Sequence, residues 1–196
     1  MTSFLDLFFP PLCLHCKEPS STAYLCKECW QMSQLLELEG RCLHCFDEID
    51  EPTGLCIQCK HSPLLPFPRA ALFAKEAPIY RILGWEESID PIASFGFYQW
   101  LRLQWQKPDL IAPIPPHRTK IARAFAELAN IPCPHLFRRV PWPLSPEKWE
   151  IKEQLIENDR TVLLIDEGCT QEQLQIAAEA ISEAFPKKVY VLSLFS

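Results

Sequence analysis

The sequence predicts an α/β protein in which a small cysteine-rich module precedes a mostly parallel sheet. Three observations predict it. Eight of the ten cysteines fall before residue 60, all in C-x-x-C pairs. From about residue 68, short apolar runs alternate with helical periodicity, as strands joined by crossover helices do. A composition 48% hydrophobic and 22% charged over 196 residues suffices for one ordinary domain plus an appended module.

The apolar start, residues 4–12, is broken by Asp6, Pro10 and Pro11 and lacks a basic leader and a small-residue cleavage site. It therefore reads as a short helix packed on the body, not as a signal peptide or a membrane span. The expected compartment is the reducing cytoplasm, where ten cysteines do not mean five disulfides.

The cysteines follow as Cys13-x-x-Cys16, Cys26-x-x-Cys29, Cys42-x-x-Cys45 and Cys56-x-x-Cys59. A C-x-x-C turn presents two thiolates to one metal, and two such turns close the tetrahedron that Zn²⁺ prefers. Gaps of nine and ten residues within the halves and twelve between them favour sequential pairing. Cys13, Cys16, Cys26 and Cys29 would then hold one zinc, and Cys42, Cys45, Cys56 and Cys59 the other. An interleaved cross-brace is the alternative. Thioredoxin-like chemistry needs one such motif in a βαβ setting, and the spacing does not match common ferredoxin runs. Four protein ligands leave no open position, so both metals are expected to be structural. His15 and His44, inside two of the turns, are expected beside the ligands or exposed.

Residues 1–62 form this double zinc-ribbon module. Residues 63–69, with Pro63, Pro66 and Pro68, read as a stiff extended linker. The second domain, residues 70–196, starts with a strand at 70–74 and a helical turn at 78–83. A helix at 91–106 carries Trp100 and Trp105. A buried strand at 109–113 and an amphipathic helix at 118–129 follow. Residues 131–146 hold five prolines and read as irregular, with a short strand near Phe137. A strand at 161–165, a helix at 171–185 and a strand at 189–195 complete the order.

Charge is uneven. Residues 1–62 carry −5, and eight thiolates on two Zn²⁺ would add −4, which disfavours phosphate backbones and favours a protein partner. Residues 102–139 carry +5 and are the candidate stretch for phosphates or single-stranded DNA, a solvated basic face being the alternative.

The cysteine pattern, Asp109-Leu-Ile-Ala-Pro-Ile-Pro-Pro-His-Arg118 and Val162-Leu-Leu-Ile-Asp-Glu-Gly-Cys-Thr170 together resemble the ComF/GntX family over nearly the whole chain. That family joins a double zinc ribbon to a type I phosphoribosyltransferase-like domain. The resemblance implies a site for phosphoribosyl pyrophosphate (PRPP) and Mg²⁺ at the carboxyl ends of the strands. Asp166 and Glu167 would hold the ribose and organise Mg²⁺. Thr170 would lie in the loop around the 5′-phosphate, and Arg118 and Arg123 would supply positive charge. Arg123-Ala124-Phe125 stands where the family has R-G-F.

Several positions depart from the family. The loop continues Gln171-Glu172-Gln173-Leu174, without its glycine and with Glu172 where a phosphate should sit. A carboxylate about 4 Å from a phosphate costs on the order of 1–4 kcal/mol. The family's lysine after the first helix is replaced by Leu83-Gly84-Trp85, and the later polar motif around residues 144–158 has decayed. These departures imply a degenerate domain without catalysis.

The resemblance then implies an accessory protein of DNA uptake, handling the entering single strand or a partner such as a ComFA-like helicase. An active PRPP-dependent transferase and a zinc-stabilised scaffold are the alternatives. Each surviving element has a plainer reading as well. Asp166 and Glu167 can cap the following helix. Arg118, Lys120 and Arg123 can be a solvated face. Cys169 and Cys133 can be inert packing thiols. The tryptophans at 85, 100, 105, 142 and 149 can be packing residues, or a stacking platform for bases.

Overall fold

The computed structural model describes residues 11–20, 24–139, 149–152 and 159–196. The expected N-terminal helix, Trp142 and most of the stretch 144–158 lie outside the described residues.

The first 62 residues hold two short helices, α1 (Lys27–Met32) and α2 (Ile57–His61), and the paired β1 (Arg41–Cys42) and β2 (Thr53–Gly54). Each helix opens on a metal-type cysteine. Cys26 Sγ accepts the Cys29 N–H at 3.4 Å, and Cys56 Sγ accepts the Cys59 N–H at 3.3 Å. The thiols thus take the role that Ser or Asp usually plays at a helix start.

The chain from residue 69 onward contains β3 (Arg69–Phe73), α3 (Ile89–Leu103), β4 (Leu110–Ile114), α4 (Lys120–Ala129), β5 (Phe137–Arg139), β6 (Trp149–Ile151), β7 (Thr161–Asp166), α5 (Gln171–Ser182) and β8 (Lys188–Phe195). Two 3₁₀ turns, Pro78–Ile82 and Glu86–Ser88, lead into α3. The main sheet runs β3-β8-β7-β4, wholly parallel, so all four carboxyl ends share one edge.

Period-two alternation divides the sheet between two cores. Ile111, Leu163, Ile165, Tyr190 and Leu192 pack with α3 and α4 through Ile92, Trp100, Ile121 and Phe125. Leu110, Ala112, Ile114, Val162, Leu164, Val189 and Val191 pack with α5 through Leu174, Ala177 and Ile181. A sheet covered on both faces needs strands apolar throughout, and all six residues of β7 are buried. Each large aliphatic there contributes roughly 1.5–3 kcal/mol of transfer free energy.

Some boundaries differ from expectation for local reasons. α4 begins at Lys120, not Arg118, because the Arg118 N–H turns back to the Pro115 carbonyl at 3.0 Å. α3 begins at Ile89, which puts Pro91 in its first turn, where no amide partner is lost. The region 131–146 holds the expected strand β5, which pairs antiparallel with β6 just beyond it, a strand that was not expected. The linker is no free spacer. The His44 ring donates from Nε2 to the Leu65 carbonyl (2.7 Å), the Arg69 N–H bonds the His44 carbonyl (2.6 Å), and the Val191 N–H bonds the Pro68 carbonyl (2.9 Å).

The cysteine-rich segment and the sheet share one apolar core. Cys13, Leu25, Cys26 and Cys29 belong to the cluster that contains Phe73, Ile79 and Ile82. Among the described residues no helix is long and apolar enough to cross a membrane.

α3 and α4 approach closely at Gly96, where an added Cβ would lie 3.2 Å from Phe125 Cδ2. Gly96→Val is therefore expected to destabilise the zinc-loaded chain by about 1–3 kcal/mol, measured by urea denaturation.

Candidate functional site

Two sets of four cysteine sulfurs converge. The Sγ atoms of Cys13, Cys16, Cys26 and Cys29 lie within 4.8 Å of one another, as do those of Cys42, Cys45, Cys56 and Cys59. Pairing is thus sequential. Zn–S bonds of about 2.3 Å at tetrahedral angles set the S···S separation near 3.8 Å. Cys16 to Cys26 is 3.8 Å and Cys45 to Cys56 is 3.7 Å, and all ten cysteines are free thiols. Distance and donor set both fit Zn²⁺.

The thiol pKa values fit a dication as well. Burial opposes ionisation of Cys13, yet the N–H groups of Cys26, Cys16 and His15 hold it down to about 6. Cys42 is likewise held at about 6 against burial by the N–H groups of Cys45, Cys56 and His44. Burial and neighbouring thiols push Cys59 up to about 11 and drive Cys29 and Cys45 upward. Raised thiols beside a lowered one mean that four thiolates in one tetrad require a metal that displaces the protons. His15 is exposed and His44 is committed to Leu65, so neither is a ligand.

At the carboxyl edge of the sheet, Asp166, Glu167 and Arg118 come together with Thr170 next along the loop, while Arg123 is turned to His135, and each is bonded within the protein. Asp166, 3% exposed, accepts the N–H groups of Gly168 (3.0 Å) and Cys169 (2.7 Å) on Oδ1. Glu167, 6% exposed, accepts the Ala122 N–H at 3.1 Å. Ala122 lies in the first turn of α4, where Thr119 supplies no side-chain cap, so Glu167 caps the preceding helix and not the following one. Thr170 caps α5 in a reciprocal box with Gln173, and Glu172 occupies the first turn of that helix. Arg118 donates from Nη1 to the Glu167 carbonyl (2.7 Å) and stands 3.3 Å from where a Cβ on Gly168 would lie, at φ +100°. Cys169 is half-buried and its thiol is pushed up by burial and by Asp166, which marks it as inert.

Beside this edge lies a cavity of about 550 Å³ that sequence reasoning did not foresee. The second tetrad roofs it with His44, Cys45 and Asp47. Asp166, Lys75 and Phe195 line its walls. Only the docking of the module onto the sheet creates it, and no local pattern signals that.

The basic stretch is largely spoken for. Arg102 pairs with Glu37 (2.6 Å), Lys120 with Glu86 (3.2 Å) and Arg138 with Glu150 (2.9 Å). Arg123 donates to His135 Nε2 at 2.8 Å. The described tryptophans of the expected platform also have ring partners: Trp85 with Tyr24, Trp100 with Phe125, Trp105 with Tyr190 and Trp149 with Phe137.

The fold and the tetrads define the class as an α/β protein with two Cys₄ sites suited to zinc. Compared with known proteins, the chain matches no family model and no curated protein.

Native mass spectrometry is expected to find two zinc ions per chain. Cys13→Ser should lose one ion and lower the melting temperature by roughly 10 °C, about 3 kcal/mol for a chain of this size. Cys13 sits in the sheet's core, so Cys45→Ser should lose one ion with a smaller drop.

Burial raises the Glu167 pKa, against the Ala122 N–H and Arg118, which lower it. A carboxyl raised on folding contributes stability below its ordinary pKa and loses it as pH climbs through the raised value. Glu167→Gln stays neutral and keeps the acceptor for Ala122. Its melting temperature relative to the parent should therefore rise between pH 4.5 and 7, whereas a flat difference would show Glu167 to be unperturbed.

Proposed function

We propose that this chain is a ComF-like accessory protein that works by binding, with a phosphoribosyltransferase-like domain that has become a platform and not a catalyst. One observation carries the reading. The carboxylate of Asp166 is spent on the loop amides of Gly168 and Cys169, that of Glu167 on the start of α4, and Thr170 on the start of α5. PRPP would have to break bonds the fold itself uses, and Glu172 would still face its 5′-phosphate.

The resemblance carries the work toward DNA uptake. With Arg102, Lys120, Arg123 and Arg138 already paired, a protein partner such as a helicase is favoured over single-stranded DNA held by residues 102–139. The acidic zinc module, with its rim of exposed apolar side chains, supports the same preference.

The alternative, an active PRPP-dependent transferase, draws support from the 550 Å³ cavity beside Asp166. Calorimetric titration of the zinc-loaded protein with PRPP and Mg²⁺ decides between them. No heat at millimolar PRPP is expected. Saturable binding at micromolar affinity, abolished by Asp166→Asn, would overturn the platform reading and assign an enzyme.

A further inference from the structure

The two zinc-binding segments are structural copies of each other. Leu12 bridges Pro19 as Arg41 bridges Glu48. The Cys13 N–H bonds the Glu18 carbonyl as that of Cys42 bonds Asp47, and the Leu14 N–H bonds Tyr24 as that of Leu43 bonds Gly54. Lys17 and Phe46 both take left-handed backbone, at φ 66° and 68°. Even the turn residues repeat, as Cys13-Leu14-His15-Cys16 and Cys42-Leu43-His44-Cys45.

The same face meets different fates in the two copies. In the first, Leu25 is 1% exposed, Leu14 packs on the core, and Tyr24 meets Trp85 edge to face at 5.1 Å. That face is thus docked on the protein's own body. In the second copy the residues matching Leu14 and Leu25 are open, Leu43 at 65% and Leu55 at 38% exposure; Ile57, two residues on, is 78% exposed where the first copy has Lys27, also exposed. Leu43 lies alongside the segment that carries Leu55 and Ile57, because the Leu43 N–H bonds Gly54 (2.8 Å) and the Cys56 N–H bonds Cys42 Sγ (3.2 Å).

Charge also separates the copies. The second carries Asp47, Glu48, Asp50 and Glu51 beside this face, where the first has Glu18 as the lone acid in residues 18–22. Glu48 is matched by Arg41 at 2.9 Å, while Asp47, Asp50 and Glu51 are exposed.

Resting on the reading of the chain as a binding platform, we propose that Leu43, Leu55 and Ile57 form a docking face for an apolar segment of a partner protein flanked by Lys or Arg. The first copy shows what such a face accepts: an apolar turn, here Pro78–Ile82 and Trp85. The acidic loop selects for basic flanks. It also disfavours a second copy of this chain, because a two-fold contact would set one acidic loop against the other. None of the three apolar residues lines the cavity beside Asp166, so PRPP binding would overturn the platform reading and leave this face unaffected.

The test places photoreactive benzoylphenylalanine at position 57 of the full chain in the cells that make it, with position 101, also exposed, as control. Native mass spectrometry checks that both variants keep two zinc ions. The expected result is a crosslink from position 57 alone to another protein, mapped by peptide sequencing to an apolar segment with basic flanks. Asp47→Asn, Asp50→Asn and Glu51→Gln together should weaken it roughly fivefold. A crosslink to a second copy, to nucleic acid or to a segment without basic flanks would overturn the proposal. So would a yield no greater than that of position 101.

Discussion

Four sulfurs within 4.8 Å of one another, at Cys13, Cys16, Cys26 and Cys29, decide where the chain before the sheet can lie. The Ser33 hydroxyl donates to the Cys29 carbonyl at 3.0 Å, and the hydroxyl oxygen of Ser33 accepts the Ile79 N–H at 3.1 Å. One hydrogen-bonded step therefore joins a metal ligand to the 3₁₀ turn that precedes α3. Three residues later the Leu36 N–H bonds the Leu72 carbonyl of β3, and the buried Gln99 side chain donates to the Leu36 carbonyl. The segment after α1 covers β3, an edge strand that would otherwise offer unpaired amides to other chains. A module too small to fold on apolar burial alone thus draws stability from metal binding and passes it to the sheet edge.

The carboxyl edge shows how a ligand-binding geometry can be turned inward. Open α/β sheets bind ligands there because loop amides and helix starts converge with partners missing. Here the partners are internal. Asp166 supplies to Gly168 and Cys169 the negative charge that a phosphate would otherwise bring. Glu167 does the same for α4, in the absence of a cap from Thr119. Burying two adjacent carboxylates is costly, and Glu167 shows it in a raised pKa. The amide bonds and the nearby Arg118 offset part of that cost.

What was legible in the sequence follows from the range of the forces involved. β4 and the centre of β7, residues 162–165, were readable because a strand buried on both faces is apolar through its middle. The tetrads were readable because ligand spacing is local chemistry. β6 was not, since Trp149-Glu150-Ile151 gains strand character only from its register with β5. The start of α4 was misread by two residues because a backbone turn at Pro115 captures the Arg118 N–H. The role of Glu167 was hidden for a similar reason. It adjoins α5 in sequence but reaches a helix more than forty residues earlier in the chain. The cavity under the second tetrad needed the docked position of His44, which depends on Leu65 and Arg69.

The repeated turn Cys-Leu-His-Cys makes the same point most sharply. Leu14 and Leu43 share their immediate neighbours, their backbone bonds and their metal-type site, yet one packs on the core and the other is 65% exposed. No local rule could separate them. What differs is the body each copy rests on: Ile79, Ile82 and Trp85 meet the first, while the linker holds the second by its His44 edge. Leaving Leu43 and Ile57 in water forgoes about 25 cal/mol for each square ångström of apolar surface that could be covered. Nothing in the fold of the second copy requires leucine or isoleucine at those places, since its helix start, turns and metal set rest on cysteine sulfurs and backbone bonds. Folding of this copy therefore does not require apolar side chains there, which is what the proposed docking face would use.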